Sequence, residues 1–408
     1  MSKNLIDCAG RPAVAARVRS SKPYDPVSSL QAIASNPHIE HYKLDWNEST
    51  VTPSPKVFEA LQRFLEGEGR LHWYPDAGYE KLHLRLSNYA GCSTGRLLVT
   101  NGSDDGLALI CQVYLDPGDE VVAPFPTYRH FLQFAELAGA TIRLIRKADP
   151  FSVSLRDIET SISEHTKIVY LANPNNPTGI LFEPAQISRL AGRHPRILFL
   201  VDEAYYEFSG VSCARLTGNA ENIVVARSFS KCFGLAGLRL GYVMASAAII
   251  GDLRRVHNPK SVNMMAQVAA VAALGDLDYY RGYVAAVQHA SRLTRRFCET
   301  HGIPCRLTPA NFVLIQLEDP VWVAERLRDA GVHVRDRSSQ LPGTIRLTVG
   351  TPEQMQEVLS RIAGVLEEFS LSRSGSSNAW RGKAHMQPAG DRPSGSGTEA
   401  VLKAALQL

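Results

Sequence analysis

Ser228 to Tyr242 reads SFSKCFGLAGLRLGY, with Lys231 between two serines and a glycine-rich run, and Arg239 eight residues further on. Taken alone, a lysine before glycines is ordinary solvated loop chemistry. Its flanks change that reading. Upstream lies the apolar run NIVVA and downstream RLGYVMA, so the lysine sits on a turn between two buried strands. Further out, RLLVT, EVVAPF, TIRLI, KIVYLA and ILFLVDE bring the total to seven candidate strands between about residues 97 and 245. Helix-length periodic segments such as SDDGLALICQVYL and PAQISRLAGRH separate most of them. This alternation predicts an α/β fold with a largely parallel seven-stranded sheet covered by helices. Ligands of such sheets collect beyond the carboxyl ends of the strands.

From residue 249 to 300 the pattern turns helical. FVLIQL, VWVAERLRDAG, VHVRD, TIRLTVG and PEQMQEVLSRIAGVLEEF then alternate in a way that predicts a smaller C-terminal α+β domain. The expected organisation is an N-terminal arm over 1–50, a large domain over 51–260, a small domain over 261–370 and a flexible tail over 371–408. Half of the segment 372–397 is Gly, Ser and Pro, too little apolar surface to order itself.

At 408 residues, 45% hydrophobic and 21% charged, with a formal charge of +4, the chain has the composition of an ordinary globular protein. The charge is too small and dispersed to argue for nucleic acid, so small molecules are the expected ligands. Seven cysteines form no CxxC pair and no cluster with zinc spacing, and no metal site is expected. Arginines interrupt every apolar stretch of MSKNLIDCAGRPAVAARVRSS, unlike a secretory signal, and no run is long enough for a membrane span. The expectation is a cytoplasmic protein with reduced thiols.

Three further strand ends carry chemistry. TNGSDDG runs through Gly102, Ser103 and Asp104 into a helix whose first turn would offer unpaired N–H groups to a phosphate. KIVYLA ends in NPNNPTG, where proline and glycine shape a loop and asparagines supply amides. ILFLV ends in Asp202, a carboxylate that is costly at a buried strand tip unless paired, with Tyr205 three residues on. Singly, each is a common cap or turn. No GxGxxG and no phosphate loop with a terminal lysine is present.

Taken in order, GSD (102–104), NPNNPTG (173–179), DEAY (202–205) and SFSKCFGLAGLRLGY (228–242) resemble the motifs of fold type I pyridoxal-phosphate enzymes, within them the class I/II aminotransferases of the histidinol-phosphate aminotransferase kind. The resemblance runs from about Tyr24 to Leu366. It implies pyridoxal 5′-phosphate as cofactor, with Lys231 bonding its aldehyde and then serving as general acid and base. It implies that Asp202 keeps the pyridinium nitrogen protonated, while Tyr205 and Asn176 hydrogen-bond the ring phenolate. Gly102, Ser103, Asp104 through its backbone, Ser228, Ser230 and Arg239 match the phosphate cup, and Tyr128 the aromatic against the ring. Tyr74 matches a tyrosine that reaches the neighbouring subunit's phosphate, which implies a homodimer with shared sites. On the substrate side, Arg346, Arg335, Asn47 and Tyr24 match the family's binding positions.

The chain departs from the resemblance in LDWNEST, which lacks the usual proline after NE, and in HNPKSVNMMAQ. Both bear on substrate choice. The implied activity is amino transfer between a donor such as glutamate and a keto or aldehyde acceptor, in amino-acid or specialised biosynthesis. A decarboxylase of the threonine-phosphate decarboxylase type would share the same residues, as would a carbon–oxygen elimination or cyclisation. A non-catalytic aminotransferase-like regulatory module is the reading from another class.

Overall fold

The computed structural model describes residues 14–18, 33 and 38–374; Tyr24 and the segment beyond 374 lie outside the described residues. Strands are numbered in chain order, β1 being the two-residue Tyr42–Lys43. The seven apolar runs form β2 (Leu97–Thr100), β3 (Glu120–Pro124), β4 (Thr141–Ile145), β5 (Thr166–Ala172), β6 (Leu198–Asp202), β7 (Ile223–Ser228) and β8 (Gly241–Met244). All belong to one sheet of order β2-β8-β7-β6-β5-β3-β4. Only β8 runs against its neighbours, pairing antiparallel with both β2 and β7.

Successive residues of these strands enter opposite hydrophobic clusters. Val169 and Leu171 of β5 pack on one face with Leu82, Leu86, Ile187 and Leu190. Ile168 and Tyr170 pack on the other with Leu107, Ile110, Phe131 and Leu132. This two-residue alternation between two dry faces makes the strands read as continuous apolar runs. Each such side chain contributes about 1.5–3 kcal/mol by leaving water, which holds the strand ends rigidly enough to carry a site.

C-terminal to this sheet, β9 (Cys305–Leu307), β10 (Phe312–Gln316), β12 (Arg335–Asp336) and β13 (Thr344–Thr348) form an antiparallel sheet of order β12-β13-β10-β9. The three-residue β9 gives too short a pattern to be read from sequence. Parallel pairing of β1 with β11 (Val332–His333) draws the N-terminal segment onto the C-terminal part of the chain. Leu44 N then bonds His333 O, and Thr348 N bonds Leu44 O. The next residues, Asp45 to Asn47, are thereby delivered to the crevice beside the large sheet. The closing helix, Pro352–Ser374, extends slightly beyond the residue 370 expected to end the small domain. Among the described residues, no helix is long and apolar enough to cross a membrane.

Candidate functional site

Register aligns the motifs along one sheet edge. Ala172 lies beside Asp202, and Asp202 beside Ala226. Ser228 lies opposite Gly241, which on its other side faces Thr100. Gly241 is a required glycine: a β-carbon there would run into Ser103 N, Gly102 C and Arg227 O. Its bareness lets the start of the Ser103–Tyr114 helix close against the end of β7.

At that junction, Gly102 has φ +82°, and an added β-carbon would meet Arg239 Nη2 at 2.7 Å. Arg239 itself adopts φ +54°, a left-handed conformation that costs a non-glycine residue about 1 kcal/mol. Its Nη1 donates to Ser230 Oγ at 3.3 Å, and Ser230 N donates to Ser228 Oγ at 3.0 Å. A helix start, two serines and a guanidinium thus form a cradle that fits a phosphate. The Asp104 side chain takes part in a way the sequence does not reveal. Its Oδ2 accepts from Arg239 Nη2 at 3.2 Å and its Oδ1 from the Tyr128 hydroxyl at 2.8 Å.

Asp202 is 5% exposed. Its Oδ2 accepts from the Tyr170 hydroxyl at 2.9 Å and its Oδ1 from Ala204 N at 3.1 Å. Burial pushes this carboxyl up to about 6, against the opposing pull of the Tyr170 hydrogen bond. A buried carboxylate so disfavoured fits a cationic ring nitrogen. Tyr170, stacked on Phe131 with centroids 3.8 Å apart, is a site residue that the sequence reading missed. The only signal was a tyrosine inside a run otherwise suited to the core.

Lys231 Nζ donates to Trp46 O at 2.8 Å and lies 5.9 Å from the centroid of the Tyr205 ring. Burial, followed by the nearby Arg346 charge, lowers the Lys231 amine to about 8. The nucleophile is the neutral amine, so cofactor capture by cofactor-free protein is expected to speed up as pH rises towards about 8 and to level off above it. Stopped-flow absorbance of added pyridoxal phosphate between pH 6 and 10 checks this; a flat profile would contradict it.

The loop after β5 divides its asparagines by task. Asn173 brackets the Phe182 backbone, accepting from its N at 2.7 Å and donating to its O at 3.0 Å. Asn175 donates to Pro126 O at 2.9 Å and accepts from Thr127 Oγ1 at 2.7 Å. Asn176 alone turns to the crevice, its Nδ2 donating to the Tyr205 hydroxyl at 3.4 Å. That hydroxyl also accepts from Asn47 Nδ2 at 2.9 Å. Asn47 is buried at φ +55°, a conformation asparagine tolerates better than most residues.

On the other side of Asn176, its Oδ1 accepts from Arg346 Nη1 at 2.7 Å and from Arg337 Nη2 at 3.3 Å. Arg346 Nη2 also donates to Asp45 O. Arg335 stands directly across from Arg346 in the β12–β13 register, and its Nη1 is buried without a hydrogen-bond partner. Arg337 was missed by the sequence reading, although the i, i+2 spacing of VRDR would put both arginines on one side of an extended segment. Tyr74 lies away from these groups on the surface, 78% exposed, with Lys260 Nζ 4.8 Å from its ring centroid.

The donor set fits pyridoxal phosphate at each end: an anion cradle, an amine with lowered proton affinity and a buried carboxylate for a cationic nitrogen. Comparison with known proteins agrees with this. The model of the family described as aminotransferase class I and II matches residues 40–362. A dihydroxyacetone phosphate transaminase of Campylobacter jejuni is 35% identical over 82% of this chain and 91% of its own length. Histidinol-phosphate aminotransferase 1 of Archaeoglobus fulgidus is 36% identical over 79% of this chain and 99% of its own. The solved histidinol-phosphate aminotransferase of Sinorhizobium meliloti, a complex with pyridoxal 5′-phosphate, superimposes with a TM-score of 0.79 at 22% identity over 87% of this chain and 98% of that one, a likeness of fold.

Proposed function

The chain belongs to the class I and II aminotransferases and is a pyridoxal-phosphate-dependent transaminase, and from that premise we propose that its acceptor or donor carries a phosphate group, with glutamate as the other amino partner. The carrying observation is the buried, unbonded Nη1 of Arg335 opposite Arg346. Like charges directly across a strand pair are unfavourable unless an anion lies between them. Both relatives above are named for phosphorylated substrates, which supports the same reading.

When bound, pyridoxal phosphate supplies an aldehyde that condenses with amines and a ring that accepts the electron pair left at substrate Cα. Lys231 is assigned as the amine that tethers it and then carries a proton away from Cα. Asp202 would hold the charge on the ring nitrogen, and the Tyr205 hydroxyl, positioned by Asn47 and Asn176, would donate to the ring oxygen. The Ser103 helix start, Ser228, Ser230 and Arg239 would hold the cofactor phosphate. Tyr128 would lie against the ring, held by its hydrogen bond to Asp104. Arg346 takes the substrate's anionic end.

The same reading includes a homodimer in the cytoplasm and a division of the chain near residue 260. Leu71, Trp73 and Tyr74 are 62%, 58% and 78% exposed on one short segment, an apolar strip suited to burial against a second copy. Tyr74 would reach from it to the partner's cofactor phosphate.

The test is a single-turnover absorbance assay of cofactor-loaded enzyme against glutamate, histidinol phosphate and histidinol, with carbon dioxide monitored. Loss of the visible band without gas, fastest with glutamate and one phosphorylated amine, is expected. Gas release with the band restored would overturn amino transfer, and indifference to the phosphate would overturn the substrate class.

A further inference from the structure

We propose that Arg337 is a specificity-determining residue that joins Arg335 and Arg346 around the anionic end of the substrate and selects a doubly charged phosphate over a singly charged carboxylate. The inference rests on the phosphate-bearing substrate proposed above.

Arg337 and Arg346 donate to the same oxygen, Asn176 Oδ1, at 3.3 and 2.7 Å. Two guanidiniums therefore stand side by side on the end of one neutral amide dipole. Arg335 adds a third, across the strand from Arg346. Backbone geometry holds Arg337 there: its N bonds Thr344 O, which continues the β12–β13 edge by one residue. One carboxylate is matched by one two-pronged guanidinium. A phosphate monoester presents three oxygens and two charges, and three guanidiniums match it in number and in sign.

Asn176 also ties this corner to the chemistry. Its Nδ2 touches the Tyr205 hydroxyl, and the charges of Arg346 and Arg337 both pull the Tyr205 proton affinity down against the effect of burial. An anion seated on Arg337 and Arg346 would cancel that pull. Occupancy of the substrate pocket would then be sensed at Tyr205, the phenol assigned to the cofactor's ring oxygen.

Calorimetric titration of the holoenzyme with glycerol phosphate and with propionate, on wild type, Arg337→Leu, Arg337→Lys and Arg335→Leu, tests the proposal. Arg337→Leu is expected to weaken glycerol phosphate roughly 10- to 100-fold, the loss of one charge-assisted hydrogen bond, and propionate by less than about threefold. Arg337→Lys should recover part of the loss, and every variant should still hold its cofactor, read as retained visible absorbance. In turnover, the change should fall on KM for the phosphorylated substrate rather than on kcat. Unchanged glycerol phosphate binding in Arg337→Leu, with binding weakened in Arg335→Leu, overturns the role of Arg337 and leaves the phosphate reading standing. Equal losses for both probes make Arg337 structural and also overturn it. A wild-type holoenzyme that binds glycerol phosphate no better than propionate overturns the phosphate reading, and this proposal with it.

Discussion

Lys231→Ala is expected to lower turnover by roughly 10⁴-fold or more and to abolish the visible absorbance of the tethered cofactor. The size follows from the two roles proposed for one amine, as tether and as proton carrier at Cα. Loss of fold does not account for the effect. Burial depresses the Lys231 amine from 10.5 to about 8, so the native state bears a cost for the ammonium that is full below about pH 8 and fades as pH rises towards 10.5. Alanine removes that cost together with the hydrogen bond to Trp46 O. The cofactor-free variant should therefore melt within a few degrees of wild type at pH 7. Thermal melts and turnover measured on the same preparation check both statements; a variant with normal turnover would remove Lys231 from the mechanism.

Asp202→Asn separates catalysis from stability by sign. Turnover is expected to fall about 10²- to 10³-fold, because a neutral amide does not hold a proton on the ring nitrogen. The cofactor-free protein should move the other way. Its Asp202 rises from 3.8 to about 6, so folding bears the cost of an ionised buried carboxylate, in full above about pH 6 and vanishing as pH falls towards 4. That rise corresponds to about 3 kcal/mol at most. The cofactor-free variant should thus be more stable than wild type at pH 8 by about 1–3 kcal/mol and level with it near pH 4. With cofactor bound the order should reverse, since wild type then has a cation to pair with. Melting curves at the two pH values, with and without cofactor, decide it; a variant less stable at pH 8 in both states would mean that Asp202 already has its counter-charge in the protein.

Much of this site is legible in the order of the amino acids, and the reason is local. Gly102, Asp202 and Lys231 each follow an apolar run at the point where turn residues begin. A run of β-forming residues that ends in a turn determines where a strand stops whatever its partners are. The seven strands, the helix start at Ser103 and the carboxyl edge shared by the four motifs all come from such short-range patterns. The order of the motifs then carries the family resemblance.

The α/β alternation, the strand ends and the residues standing on them are thus written in local patterns of the chain. Which of those residues meet depends on the folded arrangement. Asn47 reaches Tyr205 across 158 residues, and Arg346 reaches Asn176 across 170. Tyr170 became the support of Asp202, Asp104 the partner of Arg239, and Arg337 a neighbour of Arg346 only when separate strands came into register. Hydrophobic periodicity names the face on which a side chain lies, but strand pairing over long chain separations sets its neighbours, and that pairing is a property of the packed core as a whole.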